Sequence, residues 1–372
     1  MKLLERLSPL LHRHLLPLIV LSYGLAAFYP TLGIGLKETR LAGISFGPWH
    51  SKVTPQMLLL SFLLFNAGLA VRGDRLHRML REPRMMLAGL AANLAVPLVY
   101  LMIVIIPTLA VWHNREEAGT ILVGLALVSA MPIAGSSTGW SRSAGGDMAL
   151  SLGLVLASTL MSPFTTPITL QIVGSMSSLN HVEELRVLAG HDAGTFLTLW
   201  VLLPSMTGML ARWLLGTLRT EGIEIRLKPI GTLVLLLLCY SGAASCLPRV
   251  LYSPDWDFLG LTLGFAGGLC LITFLCGQLI GRILGADRDQ RTALMFALGM
   301  SNNGTGLVLA SVAFATRPAA ILPLIVYNLV QHVAAGIANA MVRRADERLS
   351  DRPSRSWSAA GWKVDTVSSR AS

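Results

Sequence analysis

Charged residues are scarce in this chain. Asp, Glu, Lys and Arg make up 13% of its 372 residues, about half the share of an ordinary soluble domain. Acidic residues are the scarcer sign, 20 against 30 Lys and Arg. The 53% of apolar residues fall in long runs that no soluble core could absorb, which leaves an integral membrane protein. Cys239, Cys246, Cys270 and Cys276 are the only cysteines and form no CxxC pair. All four lie inside apolar spans, so they read as small buried hydrophobes, not as a disulfide framework or a zinc site. HExxH is absent and the histidines are scattered, so an enzyme is not expected, and no cofactor other than sodium comes into question. The net charge of +10 does not point to nucleic acid, because its Arg and Lys sit in short loops and the tail as cytoplasmic anchors. The lipid bilayer is the expected partner, and the sequence implies no oligomeric state.

Charged or turn-rich breaks separate ten apolar spans, near 14–30, 55–71, 85–111, 118–141, 147–174, 193–216, 229–247, 257–281, 292–316 and 318–342. Orientation follows the Lys/Arg content of the short loops. A cytoplasmic N-terminus gathers Arg72, Arg75, Arg78 and Arg81, the Arg212–Lys228 cluster, the Arg282–Arg291 group and Arg343 on one side. That puts both termini inside, in the plasma (inner) membrane. Trp49, Trp112, Trp213 and Trp256 fall at span ends, as interfacial aromatics do. The expected organisation is a cytoplasmic segment 1–13, a first five-helix repeat 14–174, an extracytoplasmic loop 175–192, a second repeat 193–342 and a disordered cytoplasmic tail 343–372.

Two spans are interrupted by residues that a continuous helix does not favour. The ninth contains Ala297-Leu-Gly-Met-Ser-Asn-Asn-Gly-Thr-Gly306, and the fourth contains Pro132-Ile-Ala-Gly-Ser-Ser-Thr-Gly139. Glycine costs about 1 kcal/mol against alanine in a helix interior, and Ser and Asn compete with the helix for its backbone groups. Such backbone is tolerated at bilayer depth only where it lines a cavity or is buried in protein. Ten spans divide into five and five, and an inverted repeat puts the fourth and ninth at corresponding positions. The expected fold is therefore all-α, with two inverted five-helix repeats and broken fourth and ninth helices crossing near the midplane. Half-helix N-termini there would face an anion, while carbonyls and hydroxyls would suit a cation. Gly260, Gly264, Gly268, Gly277, Gly281 and Gly285 recur in the eighth span at spacings that suit close helix packing. Asn93 and His332 are polar groups at depth, each either a helix–helix hydrogen bond or a cavity-lining group.

These residues resemble the bile acid:sodium symporter superfamily, whose ten-helix members carry organic anions. The likeness rests on Leu64-Phe-Asn-Ala-Gly-Leu69, on Ser158-Thr-Leu-Met-Ser-Pro163, on Gly299-Met-Ser-Asn-Asn-Gly304, and on Pro318 and Pro323 followed by His332. It implies substrate contacts at Gly135, Ser136, Gly299, Asn302, Asn303 and His332. It implies sodium ligands at Ser137, Thr138, Ser151, Asn93, Leu298, Met300 and Ser301. The chain departs from the family pattern most at Ala297, where the family has a Glu shared between two sodium sites. The resulting expectation is a secondary transporter of a small organic anion working by alternating access, with sodium as the family's coupling ion. A sodium-independent carrier of the same fold and a non-transporting membrane sensor are the alternatives.

Overall fold

The computed structural model describes residues 14–46, 49–71, 83–176, 182–315 and 317–350. From the N-terminus, α1 (Leu15–Phe28) turns by 90° into α2 (Thr31–Glu38). A hairpin of β1 (Ala42–Phe46) and β2 (Trp49–Val53) follows, and then α3 (Pro55–Leu69). Next come α4 (Pro83–Ala110), the pair α5 (Arg115–Ala130) and α6 (Ser136–Ser143), and α7 (Met148–Met176). A short α8 (Val182–Val187) leads into α9 (Ala193–Leu215), then α10 (Thr217–Ala243), α11 (Leu247–Tyr252) and α12 (Trp256–Ile283). The chain ends with the pair α13 (Arg288–Gly299) and α14 (Asn303–Ala313), and with α15 (Leu322–Ser350).

Each of the ten apolar segments is helical or a helical pair. Among the described residues, five helices (α4, α7, α9, α12 and Pro318–Arg344) are long and apolar enough to cross a bilayer unaided, or six with the bent α1–α2 pair counted as one. The 15-residue α3 falls short of the ~20 residues that a crossing requires.

The structure corrects three expectations. The chain is not all-α, because β1 and β2 pair antiparallel from Ala42↔Val53 to Phe46↔Trp49; Ile44, Phe46, Trp49 and Val53 supply β-formers there. The stretch 175–192 is not simply a loop, since α8 continues through a π-helical turn at Leu188–Asp192 into α9. The last helix also runs past 342 to Ser350. Residues 351–372 of the expected tail, the 1–13 segment and Arg72 to Arg81 lie outside the described residues.

The helices pack as two groups. α3 packs on α9 and α10, and α10 on α1; α4 to α7 pack with α12, α13 and α15; the two groups meet where α7 packs on α9 and α15 on α1. α14 touches α10 on one side and α15 on the other. In lipid no hydrophobic gain drives helices together, so association rests on close packing and polar contacts. A Cβ on Gly68 of α3 would overlap the carbonyl oxygen of Ser205 on α9, and one on Gly208 would overlap that of Phe65. In α12, Gly268, Gly277 and Gly281 face Tyr100, Leu294 and Arg291, whereas Gly260 and Gly264 face open space. Gly285, at φ +69°, lies just beyond the end of α12.

Prolines inside the long helices cost hydrogen bonds that side chains restore. Pro163 cannot donate to the carbonyl of Thr159, which accepts instead from Ser162 Oγ at 2.8 Å. All four cysteines are free, and Cys239, Cys246 and Cys270 are buried.

Candidate functional site

The two broken pairs meet at their breaks. Ile133 and Ser301 form an isolated antiparallel bridge, with Ala134 N donating to Met300 O and Asn302 N to Pro132 O, both at 2.8 Å. Non-helical backbone thus replaces helix in residues 131–134 and 300–302, and the two segments pair through this single bridge. The remaining backbone groups at the breaks are held by side chains. Ser158 Oγ accepts from Ile133 N at 3.1 Å, Thr166 Oγ1 donates to Ala130 O at 2.6 Å, and Gln331 Oε1 accepts from Ser301 N at 3.0 Å. Pro132 has no N–H to satisfy. Unsatisfied backbone is costly away from water, and this division of labour lets the chain leave helix there. Asn302 Oδ1 then caps α14 by accepting from Thr305 N at 3.2 Å.

Beside the bridge lies a cavity of about 360 Å³, within the range typical of ligand sites. Gly135, Ser136, Thr138, Ser301, Asn302, Asn303 and His332 line it, which brings together most of the residues expected at the site. Leu60 and Leu64 of α3, Leu152 and Leu156 of α7 and Leu235 of α10 give it apolar walls. Both side-chain atoms of the amide of Asn303 are buried without a hydrogen-bond partner among the described residues. A buried amide left unpaired is costly, so this one has both its donors and its acceptor open to a further partner.

Other expected residues lie elsewhere. Gly299 does not line the cavity; it is buried against the Phe274 ring. Asn93, Leu298, Met300, Ser137 and Ser151 do not line it either. Ser137 and Ser151 are fully buried, and neither hydroxyl has a hydrogen-bond partner among the described residues. Hydroxyl oxygens are a ligand type that hard cations take. Around Ala297 the wall is apolar, and that residue is fully buried in a cluster with Ala92, Ile133, Leu150, Leu154 and Leu298. Thr138 Oγ1 is already engaged as a donor to Gly135 O at 2.8 Å, and Met300 O accepts in the bridge.

The cavity also has members that were not expected at the site: Asn66 and Thr159, which stand inside two of the quoted motifs, Asn328 and Gln331, and Glu224 and Lys228 of α10. Glu224 lies 3.5 Å from Lys228 Nζ and 3.6 Å from Arg212 Nη1. Lys228 belongs to the charged cluster before the seventh apolar span, but α10 starts at Thr217 and carries that cluster to the cavity. The apolar run alone begins too late to show this. Gln331 stands beside His332 in the sequence, and a polar pair at depth was its only signal.

A sequence profile of the Sodium Bile acid symporter family matches residues 57–247. Among curated proteins, an uncharacterised sodium-dependent transporter of Bacillus subtilis (YocS) is 22% identical over 309 residues, 82% of this chain and 89% of its own length. A probable sodium/metabolite cotransporter, chloroplastic, from Arabidopsis thaliana is 25% identical over 80% of this chain and 70% of its own. An uncharacterised Bacillus subtilis protein (YbaS) is 26% identical over 60% of this chain and 69% of its own.

Proposed function

The chain belongs to the sodium bile acid symporter family, and from that premise we propose that it is a secondary transporter of a small organic anion, working by alternating access around the paired breaks. The observation that carries this reading is the Ile133–Ser301 bridge beside a cavity lined by Ser136, Thr138, Asn302, Asn303 and His332. A family of transporters implies membrane embedding and a small-molecule substrate. The finer reading is ours: ten spans in two inverted five-helix repeats, both termini cytoplasmic, in the plasma membrane.

In this mechanism the substrate sits against the breaks, where α6 and α14 begin. Helix N-termini present backbone N–H groups and about half a positive charge, which receives a polar, electron-rich group of the substrate and makes the cavity as a whole favour an anion. The amide of Asn303 supplies NH₂ donors, and the leucine walls take an apolar body. Alternating access requires one helix group to move against the other, with the bridge staying inside the group formed by α5, α6, α13 and α14. Sodium is cargo in this scheme, held by Ser137 and Ser151 with backbone carbonyls. The absent carboxylate at Ala297 weakens such a site, since ligand charge tunes cation affinity. A sodium-independent carrier of the same fold is the second reading, favoured by the apolar wall around Ala297.

Counterflow into proteoliposomes tests the proposal, with labelled 2-oxobutanoate and benzoate as probes and with or without a sodium gradient. Saturable accumulation that Asn303→Ala abolishes supports it. Binding without accumulation would instead make the protein a sensor. Accumulation indifferent to sodium would select the second reading.

A further inference from the structure

We infer that Lys228 is the residue that recognises the substrate's negative charge, by exchanging its partner Glu224 for the anionic group of an organic acid; the inference rests on the carrier reading above. Among the described residues lining the cavity, Lys228 is the one Lys or Arg, and Glu224 is the one Asp or Glu. All other polar groups there are hydroxyls, carboxamides or the His332 imidazole.

The local charge balance favours an anion. Lys228 Nζ and Arg212 Nη1 approach opposite oxygens of the same Glu224 carboxylate, at 3.5 and 3.6 Å. Two cations sharing one carboxylate leave one net positive charge beside the cavity. Arg212 is buried, and its Nη1 also donates to Leu69 O at 2.7 Å, so its position is fixed. Glu224 therefore keeps a partner when Lys228 leaves it. The Lys228 side chain is half exposed, and an exposed ion pair of this kind adds little net stability, so exchange is cheap.

Helix geometry places this charge within reach of the site. Glu224, Leu227, Lys228, Gly231, Thr232 and Leu235 all line the cavity, a single stripe along α10. Leu235 Cδ1 lies 3.8 Å from where a Cβ on Gly304 would be, so that end of the stripe touches the break. Lys228 is seven residues earlier, about 10 Å along the helix axis at 1.5 Å per residue. A lysine stem takes up part of that span. The ligand is therefore a small organic acid, its anionic group toward Lys228, its apolar body along Leu60 and Leu64, and a polar group toward Asn303.

The test is thermal stability of the purified full-length protein during titration with butyrate, 2-oxobutanoate, benzoate and 3-phenylpropionate, each matched against its primary amide. At least one carboxylate is expected to stabilise the wild type while its amide does not. Lys228→Met should weaken that response by about tenfold or more, as loss of a charged hydrogen-bond partner does. Lys228→Arg should stay close to wild type. A Lys228→Met titration superimposable on wild type overturns the assignment of Lys228 and leaves the carrier reading standing. A wild type unmoved by every carboxylate overturns both.

Discussion

The backbone N–H of Ser301 donates to Oε1 of Gln331, thirty residues further along the chain, at 3.0 Å. The bond does not end there. Gln331 Nε2 donates to Asn328 Oδ1 at 3.1 Å, and Asn328 Nδ2 donates to the Tyr23 hydroxyl at 2.7 Å. A line of buried hydrogen bonds thus runs from the ninth-span break through α15 to α1, from one helix group to the other.

Gln331→Ala should destabilise the protein by about 1 kcal/mol, because it strands the half-buried Ser301 N–H and removes a donor from the buried Asn328. Gln331→Glu keeps an acceptor for Ser301 and should lose less if its carboxyl is protonated. Apparent Tm in detergent is the readout. An unchanged Tm in Gln331→Ala would show that water or a relaxed backbone replaces the side chain.

The two asparagines of the break should behave differently. Asn302→Ala removes a helix cap, which costs about 1 kcal/mol in stability. Asn303→Ala removes an amide with no protein partner among the described residues, so stability should hold or rise while transport is lost. Thermal unfolding and proteoliposome uptake on both variants check this. Equal destabilisation of the two would mean that Asn303 has a structural role.

Ala297→Glu places a carboxyl in the apolar cluster of Ala92, Leu150 and Leu154. Without a cation, that burial should lower Tm in choline or potassium buffer. If Ser137 and Ser151 supply a cation site, sodium should restore stability in a saturable way, by RT ln(1 + [L]/Kd). Identical losses in sodium, potassium and choline would show that the neighbouring oxygens no longer form a site.

Gly208→Ala should cost about 1–3 kcal/mol, since its methyl would overlap the Phe65 carbonyl where α3 and α9 touch. Gly264→Ala meets nothing and should be neutral or slightly stabilising, because alanine is the better helix former. Comparing the two by thermal unfolding separates packing glycines from incidental ones. A silent Gly208→Ala would mean that this contact loosens readily.

Much of the frame is legible in the sequence because membrane helices announce themselves by apolar length, and the bounds agree closely. The span near 257–281 is α12, Trp256–Ile283, and the span near 147–174 is α7, Met148–Met176. The breaks are legible too, since Pro132 and the Ser301-Asn-Asn-Gly304 run are poor helix at any depth. The hairpin at 42–53 was missed because its strands are too short to stand out beside long apolar runs.

By itself, the sequence determined that the chain lies in a membrane, where its helices run and where two of them are interrupted. Those are local properties, fixed by hydropathy and by the backbone preferences of Gly, Pro, Ser and Asn. Only the tertiary structure decided that the two interruptions pair through a single bridge, and that Ser158, Thr166 and Gln331 hold the freed backbone. It alone decided that Ala297 is walled by apolar side chains, and that Lys228 reaches the cavity from a charged stretch outside the apolar run. Each of these depends on which segments meet, and hydrogen bonds across 25 to 170 residues leave no periodic mark along a chain.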